Sequence, residues 1–124
     1  MGTGRFQDLA VYQLAERLAD DVWRVVRGWD GLARDTVGKQ IVRAADSVGA
    51  NIAEGSGRGS FADNKRFVRI ARGSLYEVQH WLRRAYRRDL LSKDQTSKLQ
   101  ALIAELGPRL NAYLKSIGPT PGDE

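Results

Sequence analysis

The sequence predicts an all-α protein, an antiparallel up-down-up-down four-helix bundle, from three observations. Apolar residues recur at spacings of three and four in four successive segments. Turn-forming residues cluster between those segments, and no stretch shows the strict alternation of a strand. The prolines, Pro108, Pro119 and Pro121, leave the chain unbroken before position 108. A length of 124 residues suits one domain. The expected layout is a lead-in over residues 1–7, a bundle over 8–117 and a disordered tail over 118–124. Long helices with short connections pack most simply as antiparallel neighbours.

The first helix is expected from about Asp8 to Trp29. Leu14, Leu18, Val22, Val25 and Trp29 form its stripe, widened by Val11, Ala15, Ala19 and Val26. Asp8 reads as its N-cap, and Gly28 to Gly31 as its stop. A second helix fits Thr36 to Glu54 on Ile41, Ala44, Ala45, Val48 and Ile52. Its small residues (Ala44, Ala45, Ser47, Gly49, Ala50, Ala53) let another backbone approach closely, at some cost in helix propensity. The run Gly55-Ser56-Gly57-Arg58-Gly59 ends it as a turn. A third helix opens at Ser60, with Asp63 three residues on as an acidic variant of the capping box. Phe67, Ile70, Ala71, Ser74, Val78, Leu82 and Ala85 carry its expected apolar face to about Asp89. The fourth opens at Ser92, boxed by Gln95, and runs on Leu99, Leu102, Leu106, Leu110, Leu114 and Ile117. Gly107-Pro108 falls inside that pattern and predicts a kink.

Composition narrows function by exclusion. With 42% hydrophobic and 28% charged residues the chain reads as a folded soluble protein. It has no cysteine, which removes disulfides, thiolate metal sites and cysteine nucleophiles. A lone histidine, His80, on the polar side of the third helix, argues against zinc clusters and histidine relays. No serine sits in a nucleophile elbow or beside a second histidine. No apolar run approaches the roughly 18 residues of a membrane span. The opening Met1-Gly2-Thr3-Gly4-Arg5-Phe6 has no apolar signal region. The expectation is a cytoplasmic, non-enzymatic protein with no catalytic residues, no metal, no cofactor and no membrane partner.

Two motifs admit a functional and an ordinary reading. The glycine-rich run precedes a helix N-terminus, where free N–H groups favour anions. A nucleotide loop follows a strand and has its own fingerprint, whereas here a helix precedes and GxxxxGK[ST] is absent. The favoured reading is a helix–helix turn in which glycine supplies positive φ. In the second helix Gln40, Arg43, Ser47, Asn51 and Glu54 form a polar stripe beside the apolar one. A hairpin around Gly57 sets Arg43 opposite Arg72 to Ser74, and Gln40 opposite Leu75 to Glu77. Those residues read either as a ligand site or as a structural polar network that fixes register. The structural reading is favoured, with Arg43 and Glu77 expected to pair, directly or through Gln40 or Ser74.

Charge is the best functional clue. The chain carries a net +5 and a sequence pI near 9.9. Between Arg58 and Arg88, nine basic residues stand against Asp63 and Glu77, a segment charge of +7 that leaves −2 for the rest. At about 100° per residue, Lys65, Arg69, Arg72, Arg83 and Arg87 fall within roughly 60° of one another. Phe67, Ala71, Val78 and Ala85 fall on the other side, and Tyr76 and His80 interleave with the arginines. Cations interspersed with rings suit phosphates and stacked bases. The ordinary alternative is a solvated face. The expected nucleic-acid-binding set is Lys65, Arg66, Arg69, Arg72, Tyr76, Arg83, Arg84, Arg87 and Arg88. Tyr12, Trp23, Trp29, Tyr76 and Trp81 offer more aromatic surface than a small bundle easily buries, which predicts a homo-oligomer.

Three stretches also carry a resemblance. These are Phe6-Gln7-Asp8-Leu9, then Gln40…Arg43-Ala44…Ser47…Asn51-Ile52-Ala53-Glu54-Gly55…Arg58, and Phe67…Ala71-Arg72-Gly73-Ser74-Leu75…Glu77. Over about residues 5–117 the chain resembles the four-helix-bundle family encoded in intervening sequences of bacterial large-subunit ribosomal RNA genes and elsewhere. The resemblance implies a homopentamer with a central channel. It also implies kinship with the accessory variability proteins of diversity-generating retroelements, which bind nucleic acid and a reverse transcriptase. Gly49-Ala50 stands where a proline is often found in the family. The expected function is therefore a non-enzymatic, homo-oligomeric nucleic-acid binder. RNA or an RNA–DNA intermediate would be held through phosphates by the third helix. The alternative is a protein-interaction scaffold or adaptor for a reverse transcriptase.

Overall fold

Four amphipathic stripes dominate the chain, and each becomes one long helix. The computed structural model describes residues 5–119. A short 3-10 turn, Phe6–Asp8, leads into α1, Ala10–Val26. A helical turn at Gly31–Ala33 and a π-helical turn at Arg34–Gly38 run directly into α2, Lys39–Ser56. Helix α3 spans Phe61–Arg87 and α4 spans Lys93–Ser116. Helix α1 packs on α2 and α4, and α3 packs on the same two, so sequence neighbours are spatial neighbours around the bundle. The arrangement is an up-down four-helix bundle with no strand among the described residues.

The boundaries follow local chemistry. Ser60 Oγ accepts from the Asp63 backbone N–H at 3.1 Å and starts α3. At α4 the capping box is complete: Ser92 Oγ accepts from Gln95 N–H, and Gln95 Oε1 accepts from Ser92 N–H. Asp8 does not cap α1. Leu9 takes that position, because Asp8 is already inside the 3-10 turn. Helix α3 ends with Asp89 in the left-handed region (φ 59°), and the N–H of Leu90 returns to Ala85 O. Helix α4 continues as one element through Pro108. Pro108 and Ala104 are both exposed, so water can take the carbonyl that proline leaves unpaired. Of the tail expected over 118–124, residues 120–124 lie outside the described residues.

The core is built from Leu18, Val22, Ile41, Val48, Ile52, Val68, Val78, Leu99, Leu106 and Leu110, all essentially solvent-free. Burying each such side chain contributes about 1.5–3 kcal/mol relative to leaving it exposed. The stripes of α1, α2 and α4 lie where the periodicity sets them. Helix α3 is rotated from expectation: Val68 and Leu75 are buried, while Ile70 is 43% exposed and Phe67 and Ser74 are half-buried. Two neighbours explain the shift, since α3 must face α4 as well as α2. A Cβ on Gly107 of α4 would stand 3.9 Å from Leu75 Cδ2.

The glycine-rich turn works differently from its sequence reading. Gly55, Gly57 and Gly59 do not take positive φ; Gly118 is the one described glycine that does. Gly55 serves close approach instead. A Cβ there would stand 2.6 Å from Asn64 Oδ1 and 2.9 Å from Phe67 Cβ, closer than atoms can sit. Gly38 plays the same part between α2 and α1, where a Cβ would meet Val26 Cγ1 at 2.7 Å.

Candidate nucleic-acid interface

The rotation of α3 decides where its cations stand. With Val68, Ala71, Leu75, Val78, Leu82 and Ala85 inward, the basic residues divide between two flanks. At about 100° per residue, Lys65, Arg69, Arg72, Arg83 and Arg87 fall on the flank toward α4, and Arg66, Arg84 and Arg88 toward α2. Two contacts fix this division: Arg72 Nη1 donates to Asn111 Oδ1 of α4 at 3.2 Å, and Arg88 lines a cleft with α2 residues.

The α4-side flank carries two basic clusters, Lys65, Arg69 and Arg72 toward one end and Arg83 and Arg87 toward the other, with Tyr76 between them. Lys65, Arg69, Arg83 and Arg87 make no ion pair among the described residues. Tyr76 lies on this flank by helical register and is 63% exposed. Below it, Arg83, Gln79 and Tyr86 of α3 face Thr96 and Gln100 of α4 across a cleft of about 600 Å³. Arg84 is also free of ion pairs. Arg66 is committed locally: it pairs with Asp63 at 3.7 Å, and its guanidinium carbon lies 4.5 Å from the Phe67 ring centroid. His80 is exposed and meets Trp81 edge-on at 4.8 Å.

The polar stripe of α2 divides as well. Ser47 Oγ and Ser74 Oγ hydrogen-bond at 2.8 Å across the α2–α3 contact. Asn51 Nδ2 donates to Ser47 Oγ at 2.9 Å and to Ser47 O at 2.8 Å. Glu54 pairs with Arg58 at 3.0 Å. The expected Arg43–Glu77 pair is not formed. Arg43 is exposed and has no ion pair among the described residues, while Glu77 Oε2 accepts from Trp81 Nε1 at 3.2 Å. Both residues sit at outer edges of the helix contact, where hydration competes with pairing. Gln40 is half-buried beside Trp81 and Arg43 in a cleft of its own.

The five surplus aromatics behave unequally. Tyr12, Trp29 and Trp81 are partly buried against the core, and Trp29 Nε1 donates to Leu90 O at 3.0 Å, tying two loops together. Trp23 and Tyr76 stay 58% and 63% exposed. Sequence reasoning did not single out Arg27, Arg34 or Lys39, which gather near Trp23. The signal was present: residues 24–43 carry Arg24, Arg27, Arg34, Lys39 and Arg43 against Asp30 and Asp35. It was masked because the charge of everything outside 58–88 sums to a small negative number.

Among the described residues no helix is long and apolar enough to cross a membrane, and no three His, Cys, Asp or Glu side chains are placed to hold a metal ion. Fold and surface together define the class, a basic four-helix bundle whose longest helix carries cations without carboxylate partners. The family profile of the 23S rRNA-intervening sequence proteins matches residues 7–112, and the chain belongs to that family. Among solved structures it is similar to a protein of unknown function from the S23 ribosomal protein family of Bacteroides thetaiotaomicron. That likeness has a TM-score of 0.77 at 23% identity, covers 86% of this chain and 100% of the other, and shows the shared fold. No curated protein matches the chain.

Proposed function

We propose that this chain is a non-enzymatic, homo-oligomeric binder of nucleic-acid phosphates, acting through the α4-side flank of α3. The observation that carries the reading is the run of cations at Lys65, Arg69, Arg83 and Arg87 with no ion pair among the described residues. The band made by the two clusters spans about 33 Å of helix at 1.5 Å per residue, enough to follow several successive phosphates. Tyr76 supplies an exposed ring within it for a base. The family description ties its members to an intervening sequence of 23S rRNA, which favours RNA, or an RNA–DNA intermediate, as the ligand. A pentameric ring, as the family resemblance implies, would repeat the band five times and raise avidity beyond that of one helix.

The test is RNA binding by purified protein across a salt series. Binding should weaken steeply with salt and show little sequence preference, because counterion release dominates. Replacing Arg69, Arg83 and Arg87 together by Gln should reduce the salt slope by up to about one log unit per lost phosphate contact. Fold and mass should be unchanged, and light scattering should return an oligomer. Unchanged binding in the triple variant, or a monomer mass at micromolar concentration, would defeat the corresponding half of the proposal.

A second reading is an interaction scaffold, for example an adaptor for a reverse transcriptase. What favours it is the exposure of Phe61 (56%) and Ile70 (43%) on the same helix as the cations. Large exposed apolar side chains on a strongly basic helix suit a protein partner. Salt-insensitive capture of a partner protein, with no RNA binding, would select this reading.

A further inference from the structure

We propose that the clefts around the π-helical turn form a second nucleic-acid site, one that holds a short unpaired stretch of RNA or DNA. In this site a base stacks on the Trp23 indole, and the adjoining phosphates lie on Arg27, Lys39 and Arg43. The inference rests on the nucleic-acid reading above but uses different residues on the other side of α3, so the two can fail separately.

The geometry is that of two open clefts with a common wall. One, of about 590 Å³, lies between α1 and the start of α2 and is bordered by Trp23, Arg27 and Arg34. The other, of about 480 Å³, lies between α2 and α3 and is bordered by Gln40, Trp81 and Arg88. Asp35, Lys39 and Arg43 line both. The π-turn produces this arrangement. Within Arg34–Gly38 it sends Val37 and Gly38 inward, where Gly38 meets Val26 and Trp29, and leaves Arg34, Asp35 and Thr36 exposed at the lips. Such π segments recur at functional sites because the wide turn re-aims side chains that a regular helix would place elsewhere.

Charge favours a polyanion. Five cations line the two clefts with one carboxylate, Asp35, and Arg34 faces it at 3.5 Å. Arg27, Lys39, Arg43 and Arg88 have no ion pair among the described residues. Lys39 and Arg43 stand one helical turn apart, a like-charge spacing that weakens the free helix and that a bound anion relieves. Trp23 adds the feature that selects a nucleotide over an acidic peptide. Trp23 is 58% exposed at the rim, one turn from Arg27, and lines the same cleft as the Arg27 and Arg34 side chains. Base–aromatic stacking is tolerant of sequence but needs a base that is free of its duplex. A carboxylate-rich peptide would satisfy the cations and leave the indole unused.

The experiment compares three labelled probes: hexauridylate, a 16-base-pair RNA duplex and a hexaglutamate peptide. Each is titrated against the full chain and four variants, Lys39→Gln/Arg43→Gln, Trp23→Ala, Trp23→Phe and Arg69→Gln/Arg83→Gln/Arg87→Gln. All substitutions are at exposed or surface positions, and circular dichroism checks that the bundle is intact. Hexauridylate should bind the unaltered protein and quench indole fluorescence. The Lys39/Arg43 variant should lose about tenfold in hexauridylate affinity, and its salt slope should fall by roughly 1.4 for two phosphate contacts on a single strand. Trp23→Ala should lose about fivefold or more, and Trp23→Phe should recover much of that loss. Both should bind the duplex as before, and the triple variant should lose duplex affinity while keeping the Trp23-dependent quenching by hexauridylate. Hexauridylate binding untouched by the Lys39/Arg43 and Trp23 changes would overturn the inference. So would hexaglutamate binding as tightly as hexauridylate, which would make this an acidic-protein site. If the duplex fails to bind while hexauridylate binds through Trp23, the α3 band is wrong and this site stands. If neither nucleic acid binds, both are wrong.

Discussion

The two ends of α2 use the same materials to opposite effect. At its C-terminal end, Gly55 lets α3 come close, and the two arginines on the α2 side, Arg58 and Arg66, are both engaged. Arg58 pairs with Glu54 at 3.0 Å, Arg66 faces Asp63 at 3.7 Å, and both guanidinium groups lie within 5 Å of the Phe67 ring centroid, at 4.7 and 4.5 Å. At its N-terminal end, Gly38 lets α1 come equally close, yet Lys39 and Arg43 face solvent without carboxylates. One end is closed upon itself, and the other is left open. The comparison teaches that cation content does not distinguish a structural cluster from a binding surface. What separates them is whether acids and rings at the right register have already answered the charge.

The packing common to both ends should produce the largest effects. Gly55→Ala should destabilise the fold by about 1–3 kcal/mol in urea titration, since its Cβ would overlap Asn64 Oδ1 and Phe67 Cβ. Gly31→Ala, with nothing within 4 Å, should cost nothing measurable. A null result at Gly55 would mean that α3 does not hold Asn64 and Phe67 as close to α2 as these distances require. Midway along α2, Ser47→Ala removes the hydroxyl shared by Ser74 and Asn51 and should cost about 1 kcal/mol.

Charge substitutions should be smaller and opposite in sign at the two ends. Glu54→Gln should cost about 0.3–0.5 kcal/mol by breaking its pair with Arg58 one turn on. Lys39→Gln should gain a similar amount by relieving its repulsion with Arg43. Thermal denaturation at low salt reads both, and the difference should shrink as salt rises. Arg43→Ala should stay within about 0.5 kcal/mol of the parent. A loss near the 3–5 kcal/mol of a broken buried pair would instead return Arg43 to a structural role.

The smallest effect concerns Asp46. Partial desolvation where α2 meets α1, and secondarily the Asp20 carboxylate, raise the pKa of the exposed Asp46 carboxyl above its ordinary value. The folded state therefore keeps that proton to higher pH than the unfolded chain does. Stability from this group falls as pH rises from the unfolded pKa through the folded one, and stays reduced above it. Asp46→Asn should remove that dependence and gain less than about 0.5 kcal/mol at neutral pH. A variant with the parent's pH profile between pH 3 and 6 would show that Asp46 is uncoupled from folding.

Much of the fold was legible because its signals are local. The spacing of Leu99, Leu102, Leu106 and Leu110 defines a buried stripe in any helix, and Ser92 with Gln95 closes a cap from four adjacent residues. The π-turn at Arg34–Gly38 was not legible, since an extra residue in one helical turn leaves no pattern in amino-acid type. Nor was the rotation of α3, because Phe67 and Val68 are equally apolar and only the positions of α2 and α4 choose between them.

By itself, then, the sequence determined the four helices, the serine caps of α3 and α4, the bundle and the excess of basic charge, all of which follow from periodicity and composition along the chain. Only the tertiary structure decided which cations are free. Arg58 and Arg66 are engaged while Lys39, Arg43, Arg69 and Arg87 are not, although nothing in residue type separates them. Whether a charge is answered depends on distances of a few ångströms, to acids three or four residues away for Arg58 and Arg66 and to Asn111 of another helix for Arg72. Helix rotation and register set those distances, and both are fixed only when the four helices pack together.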